Sequence, residues 1–297
     1  MNLDRVLVEN NQSVGGGGGV WLGFGALHMY KGSLVGNSTT SNGGGTGTID
    51  ATGPFDLSFD ETPINHNSAT GDGGGLAVTN GAVATLSHVT MADDEAVIGE
   101  HVAAVPAAQV RSGRSAIVLP KAGTSCAGIG GAFAGTSLGF SVRRDASCGS
   151  IASDLVTAAD PQLAALAGNG FSRVRVPAPA SPLGGRVPVA SCLVEDDQRM
   201  MPRPAGANCE AGSVEIVEAP SLIADVKALH LPKAVEAALV LKLELARVAV
   251  QRNQKPVAKA LLTAFVLDVK LLAAQKIVPA PAAAQLVAKA TAIRNSL

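Results

Sequence analysis

A short pattern returns four times in the first hundred residues and limits the folds that this chain can adopt. Each copy is an aliphatic residue, two spacers and an Asn or Asp, and the copies begin at Leu7, Leu34, Ile64 and Met91. Successive copies lie 27, 30 and 27 residues apart. A fixed period of this size is typical of architectures in which one structural unit stacks on the next.

Glycine runs occupy a fixed place after the first three copies, at 15–19, 43–45 and 73–75. The segments beside them, such as 76–79, alternate apolar and small polar residues, which indicates short strands. One period is long enough for a turn of three short strands, each pairing in parallel with its counterpart one turn on. The runs could also be flexible linkers. Their fixed position in the period argues against that interpretation.

The Asn and Asp positions of the four copies are Asn10, Asn37, Asn67 and Asp94. Such side chains bond to nearby backbone and tolerate positive φ, so we expect them at tight corners, stacked into a ladder. The sequence therefore predicts a mainly β fold, a parallel β-helix of about four to five turns. The first copy begins close to Met1, and we expect the chain to be truncated or misassigned at its N-terminus.

Charge divides the chain near residue 220. Residues 1–219 carry 12 Lys/Arg and 20 Asp/Glu, whereas residues 220–297 carry 11 and four. Such a shift indicates a domain boundary. The basic part has one aromatic residue, Phe265, and no Arg cluster, which disfavours a stacking surface for nucleic acid. The basic charge is interpreted as a solvated helical surface.

The basic part reads as a small antiparallel helical bundle. Helices are predicted over 221–229 and 232–251, then from Pro256, with Asn253 as the break, and from Pro279. The residues expected to face inward are Val235, Ala238, Leu239, Leu243, Ala246, Val250, Ala260, Leu261, Ala264, Phe265, Leu267, Val269, Leu272, Leu286, Val287, Ala290 and Ile293. The alternative is a set of amphipathic helices lying on a membrane surface.

The four cysteines are Cys126, Cys148, Cys192 and Cys209. They form no C-x-x-C motif, which disfavours a zinc ribbon or a redox motif. An even number in Gly/Ser-rich loops suits two disulfides in an oxidising compartment, and three connectivities are open. The chain shows neither a signal peptide nor an apolar run long enough to span a membrane.

The repeats resemble those of right-handed parallel β-helix proteins of the polymorphic outer-membrane-protein type. Further along, a series of motifs in order and spacing is similar to the choice-of-anchor Q domain, the C-terminal cap of many bacterial secreted β-helix proteins. The motifs include 112–126, 138–142, 145–148, 160–163, 179–182, 197–199 and 209–212. The chain departs from that pattern at Phe171, Met200 and Glu210-Ala211.

The resemblance implies disulfides Cys126–Cys148 and Cys192–Cys209. It also implies a buried polar cluster in the cap, made by Asp197, Gln198, Arg199 and Arg203. Asp and Arg together can serve acid–base chemistry. The flanking prolines and the lack of a nearby His or Lys favour a structural network.

The helical tail, with 245–247, 264–269 and the final Ala/Leu/Val pattern, resembles the small C-terminal module called FIMAH, which follows binding or catalytic domains in secreted bacterial proteins. Three domains are therefore expected. They are the β-helix at 1–125, the cap at 126–219 and the helical bundle at 220–297.

Signatures of polysaccharide-cleaving enzymes are weak in this chain. Inverting hydrolases need two carboxylates about 6.5–9.5 Å apart, and the one Asp pair in the repeats, Asp93-Asp94, is a weak catalytic candidate. No motif for a metal or cofactor is present.

We therefore expect a non-catalytic bacterial protein, extracellular or on the cell surface, with an adhesin-like role in binding a glycan or another extracellular protein. The alternative is an incomplete or degraded pectate-lyase-like lyase or glycoside hydrolase.

Overall fold

A computed structural model describes residues 1–48, 55–79, 81–168, 170–216, 219–252 and 254–297. Asn253, the predicted helix break, lies outside these residues. The chain forms two compact units. The solenoid unit comprises Met1–Met200 and Ala207–Glu215, and the helical unit comprises Met201–Gly206 and Ile216–Leu297.

The solenoid unit is built from short strands connected by tight corners. Numbered in chain order, they are β1 (Asn2–Asp4), β2 (Leu7–Glu9), β3 (Gln12–Ser13), β4 (Val20–Leu22), β5 (Gly25–Tyr30), β6 (Ser33–Val35), β7 (Ser38–Thr39), β8 (Thr46–Thr48), β9 (Phe55–Asp60), β10 (Pro63–Asn65), β11 (Ser68–Ala69), β12 (Leu76–Val78), β13 (Val83–Ser87), β14 (Thr90–Ala92), β15 (Val102–Ala104), β16 (Gln109–Gly113), β17 (Ala116–Ile117), β18 (Cys126–Gly128), β19 (Gly135–Gly139), β20 (Val142–Arg143) and β21 (Leu155–Val156).

These strands form four sheets, of which A, B and D follow the solenoid and C is limited to its first three turns. Sheet A has the order β1-β5-β9-β13-β16-β19, sheet B β2-β6-β10-β14-β17-β20-β21, sheet C β3-β7-β11 and sheet D β4-β8-β12-β15-β18. Paired strands within the described residues run parallel, as in the pairing of Leu34 with Ile64 and of Ile64 with Met91. The structure confirms a parallel β-helix of about five turns. Its strands continue past residue 125, the predicted boundary with the cap.

The core of the solenoid is made of aliphatic side chains stacked turn upon turn. Leu34, Ile64, Met91 and Ile117 form one inward column on sheet B and are essentially inaccessible to solvent. Phe59 is a large aromatic side chain within this core. Burying a side chain of this size contributes roughly 1.5–3 kcal/mol, so the repeat of aliphatic residues is the main stabilising feature of the stack.

The glycine runs are explained by close contact between the turns. A Cβ atom at Gly44 would lie 2.3 Å from the carbonyl oxygen of Gly74 and 2.5 Å from that of Ser68. Gly18 and Gly74 are equally crowded by backbone atoms. Only glycine fits where backbones approach this closely, so these runs are structural corners and the linker interpretation is wrong.

A long irregular segment after β21 packs along the outer side of sheet B. Ser33 donates to the carbonyl of Phe171 at 2.6 Å, and Ser213 donates to the hydroxyl of Thr90 at 3.1 Å. Leu183 joins a small apolar cluster with Val142 on this side. The region predicted as a cap therefore covers one face of the solenoid lengthwise, and we call residues 157–200 and 207–215 the cover segment.

The helical unit contains α1 (Ala219–Ala228), α2 (Lys233–Gln251), α3 (Lys255–Ala274) and α4 (Ala280–Ser296). Four helices with proline near the start of α3 and α4 agree with the prediction. Leu243, Phe265 and Ala290 lie in the shared core.

Four of the side chains predicted to face inward are exposed, so this part of the prediction is wrong. They are Ala238, Val250, Ala260 and Leu267. Helices α2 and α3 carry apolar residues on two sides, and helical periodicity alone does not show which side is packed.

Candidate functional site

The predicted ladder exists as a chain of side-chain amides inside the corner that follows sheet B. Asn37 donates through its backbone N and its Nδ2 to Oδ1 of Asn67, both at 3.0 Å. Asn67 donates in the same way to Oδ1 of Asp94, at 2.9 and 3.0 Å. Asn37, Asn67 and Asp94 are fully buried. Each amide therefore satisfies two donors of the preceding turn.

In the first turn the ladder residue is Asn11, which corrects the prediction of Asn10. Asn11 donates through its backbone N and Nδ2 to Oδ1 of Asn37, at 3.0 and 2.9 Å. The register pairs Val8 with Leu34, so the repeat begins at Val8. Asn10 instead occupies the preceding corner position with φ of 56°, where its side chain is exposed. Asn tolerates this left-handed conformation, which is why both positions look alike in sequence.

Asp94 ends the ladder. Its Oδ1 accepts from Asn67, and its Oδ2 lies 2.9 Å from Nδ1 of His101, whose Nε2 is 2.8 Å from the carbonyl oxygen of Val118. Both side chains are fully buried, and burial raises the pKa of Asp94, opposed by its hydrogen bonds to His101 and Asn67. Continuing the strand register places Pro120 one turn further on, where no side-chain amide can accept a bond. A carboxylate, which only accepts, fits this terminal position.

His101 and Glu100 are buried polar residues that the sequence reasoning missed. Glu100 and His101 follow Gly99 and occupy the places that Gly74 and Gly75 have in the preceding turn. The backbone carbonyl of His101 accepts a hydrogen bond from the backbone N–H of Gly75, which fixes this alignment. Glu100 Oε1 accepts from the backbone N of Ala122 at 2.6 Å, while Oε2 is buried and has no hydrogen-bond partner among the described residues. Alignment of Gly99 with Gly73 would have revealed both residues as a fourth, altered run.

The weak catalytic pair Asp93-Asp94 is separated by the fold. Asp94 lies inside the ladder and is inaccessible to a polysaccharide. Asp93 occupies the corner position with φ of 56°, forms an ion pair with Arg175, and has Nε2 of His66 at 3.6 Å. The two neighbouring carboxylates therefore point to different environments, one buried and one in a surface ion cluster. They do not flank a common space in which a glycosidic bond could lie.

The predicted polar cluster at 197–199 is a dense network within the solenoid unit. Asp197 is buried and accepts from Arg199 Nη2 at 2.7 Å and from the backbone N of Glu215 at 2.9 Å. Gln198 donates to the carbonyl of Phe171 at 2.8 Å. These bonds fasten parts of the cover segment to each other. Arg203, the fourth predicted member, belongs to the helical unit.

Both disulfides form with the pairing that the resemblance implies. Cys126 is joined to Cys148 and Cys192 to Cys209, with sequence separations of 22 and 17 residues. Cys126 and Cys148 pack in the main solenoid core. Cys192 and Cys209 pack with Val187 in a separate apolar cluster. The first disulfide thus connects β18 to the loop after β20 near the end of the solenoid, and the second connects two parts of the cover segment.

A groove whose lining includes several Ser and Thr side chains, which we call the hydroxyl groove, runs across the outer side of sheet C. Its volume is about 710 Å³. The lining residues are Gln12, Ser13, Val14, Gly15, Ser38, Thr39, Thr40, Ser68 and Thr70. They repeat because the register stacks Gln12, Ser38 and Ser68 on successive turns, roughly 4.8 Å apart in a sheet.

Some of these hydroxyl groups form hydrogen bonds within the protein, and others are free to bind a ligand. Ser13 Oγ donates to the Thr39 hydroxyl at 3.0 Å, and Thr40 donates to the carbonyl of Val14 at 3.1 Å. The side chains of Ser38 and Ser68 make no hydrogen bond to other described residues and are partly open to solvent. The groove therefore presents regularly spaced polar groups that can donate to and accept from a ligand.

Comparisons with protein-family models, curated proteins and solved structures gave no match. Within the described residues, no group of three or more His, Cys, Asp or Glu side chains is arranged to hold a metal ion. No helix in the described part of the chain is long and apolar enough to cross a membrane.

Proposed function

We propose that the solenoid unit is a non-catalytic, extracellular binding module that holds a glycan chain in the hydroxyl groove of sheet C. The observation that carries the proposal is the stacking of uncommitted polar side chains, Gln12, Ser38, Ser68 and Thr70, along one open groove. A linear glycan also presents hydroxyl groups at regular intervals, so several hydrogen bonds can form at once.

The outer sides of sheets B and D are not open to a ligand, which supports this choice of groove. The outer side of sheet B is packed against the cover segment, as the buried Ser33 and Thr90 show. On sheet D the outward residues Gly47, Ala77 and Ala103 are buried small residues. The groove on sheet C is open. An extracellular role also suits the two disulfides, which persist in oxidising environments.

The proposal is tested by applying the full chain to a glycan array and measuring the affinity of any glycan bound by titration calorimetry. The double variant Ser68→Ala, Thr70→Ala removes two uncommitted hydroxyls and should weaken binding about tenfold, since a hydrogen bond contributes about 0.5–1.5 kcal/mol. The matched control, Ser58→Ala with Thr85→Ala, removes one Ser and one Thr hydroxyl from the outer side of sheet A and should leave affinity unchanged. Failure to bind any glycan, or equal losses in both double variants, would contradict the proposal.

A further inference from the structure

Helices α2 and α3 of the helical unit carry a second apolar side that faces solvent. Leu241 and Leu245 of α2 are 59% and 47% exposed. Val257, Leu267 and Leu271 of α3 are 50%, 62% and 59% exposed. Scattered exposed apolar residues are ordinary, but five large ones on two neighbouring helices form a patch that requires an explanation.

The spacing of these residues places them on one side of each helix. Leu241 and Leu245 are four residues apart, and Leu267 and Leu271 repeat that spacing on α3, with Val257 lying ten residues before Leu267. A groove of about 280 Å³ between the two helices includes exposed alanines of α2 and Leu271. We call this surface the outer face of α2 and α3.

The charges around the outer face are mainly positive. Lys242 pairs with Asp268 at 2.7 Å, and Arg247 pairs with Glu244 at 2.8 Å, which neutralises two cations. The other lysines of the two helices are Lys233, Lys255, Lys259 and Lys270; they are exposed and pair with no carboxylate of the described residues. One further acidic residue, Glu236, lies in α2. Lys259 and Lys270 are eleven residues apart, three helical turns, so they share an edge of α3.

We propose that the outer face of α2 and α3 docks on an anionic phospholipid bilayer, with both helices lying parallel to its surface. Leu and Val on one side with Lys on the flanks is the pattern of helices that bury an apolar face at the headgroup boundary. Lysines near an anionic surface add electrostatic attraction. The proposal gives the protein a lipid-binding site in the helical unit, and it does not depend on the glycan groove of the solenoid unit.

A protein partner fits the composition less well. Protein interfaces are depleted in Lys and enriched in aromatic residues, whereas the one aromatic side chain of α2 and α3, Phe265, is buried in the bundle. A second copy of the chain would also bring lysines against lysines, which opposes association.

The test is vesicle flotation of the full chain with phosphatidylcholine vesicles, with and without phosphatidylglycerol. The wild type should float with the vesicles that contain phosphatidylglycerol and not with phosphatidylcholine alone, and added salt should release it. Leu241→Gln with Leu271→Gln should lower the partition coefficient at least tenfold. Lys259→Gln with Lys270→Gln should lower it about fivefold per lysine, the effect of about 1 kcal/mol per charge. Phe24→Gln, at an 85% exposed apolar residue of the solenoid unit, is the matched control and should have no effect.

Circular dichroism should show unchanged helix content and melting for all of these variants, because the substituted side chains are exposed. Absence of flotation by the wild type would overturn the proposal, as would equal flotation with and without phosphatidylglycerol. A concentration-dependent dimer that the double Leu variant abolishes, without vesicle binding, would show that a second copy occupies the face and would also overturn it.

Discussion

Replacing the central residue of the ladder should destabilise the solenoid unit far more than replacing residues at its first turn. Asn67→Ala removes four hydrogen bonds made by the side chain: two accepted from Asn37, one donated to the carbonyl of Leu34 and one donated to Asp94. The variant keeps the bond from its own backbone N to Asp94. It leaves the backbone N–H of Asn37 buried without an acceptor.

The magnitude follows from these losses. A buried donor without a partner costs about 1–3 kcal/mol, and a bond to a charged group contributes about 1.5–3 kcal/mol. Together they give a loss of about 2.5–6 kcal/mol in the free energy of unfolding. In a unit of this size such a loss lowers Tm by about 5–24 °C.

The assay is urea unfolding followed by the fluorescence of Trp21. This residue is the single tryptophan of the chain and lies in β4, so the signal reports on the solenoid unit. Two controls separate the ladder from its neighbours. Asn11→Ala, at the exposed end, should cost about 1 kcal/mol, and Asn10→Gly, at a corner with positive φ, should change stability by less than about 0.5 kcal/mol. If Asn67→Ala and Asn10→Gly gave equal urea midpoints, the ladder would not be the stabilising element described above.

Three further predictions can be measured on the same signal. Gly44→Ala places a Cβ 2.3 Å from a carbonyl oxygen of the next turn and should cost more than about 3 kcal/mol, whereas Gly15→Ala, with nothing within 4 Å, should be close to neutral. Burial raises the folded pKa of Asp94. The stability that this group contributes is therefore fully present below its unfolded pKa of about 3.9 and is lost as pH rises through the folded pKa. Asp94→Asn should remove that decline, and a variant with the same pH profile as the wild type would contradict the prediction. Replacing Cys126 and Cys148 together by Ser should lower the free energy of unfolding by about 3 kcal/mol, and adding a reductant to the double variant should then have less effect than on the wild type.

The repeat period made the solenoid predictable from sequence, because each turn uses the same residues for the same physical purpose. Leu34, Ile64 and Met91 fill the core, and the glycine runs permit close contact between turns. Because the same local signals return in each repeat, a repeat whose sequence is ambiguous can be interpreted by comparison with the others. The helices of the second unit were predictable for a similar reason, since prolines mark where α3 and α4 begin.

Two features were hidden because sequence does not specify register. In the first turn, Leu7 and Val8 are both aliphatic and Asn10 and Asn11 are identical, so the pattern fits equally well in two alignments. Only pairing with the second turn selects Asn11. The change of two glycines to Glu100 and His101 concealed the fourth run, although the carboxylate at the end of the ladder needs a donor there.

The binding groove and the cover segment depend on long-range packing that no local pattern contains. Ser38 and Ser68 are separated by 30 residues and look like ordinary turn residues, yet the fold stacks them. The contact between Ser33 and Phe171 joins residues 138 positions apart. Neither the open side of sheet C nor the covered side of sheet B follows from the repeat.

The ladder has a direction, and this direction limits how the solenoid can be lengthened. Each ladder amide donates one N–H bond to the Oδ1 of the following turn, and its own Oδ1 faces the preceding turn where a ladder residue precedes it. The amide dipoles of Asn11, Asn37 and Asn67 therefore add up, with the positive end at Asp94. The carboxylate therefore lies at the pole that stabilises negative charge, as it would at the start of a helix. Copies of the Asn67 turn inserted before Asp94 would preserve this polarity. A ladder residue placed one turn beyond Asp94 would meet a carboxylate side chain that has no N–H to donate.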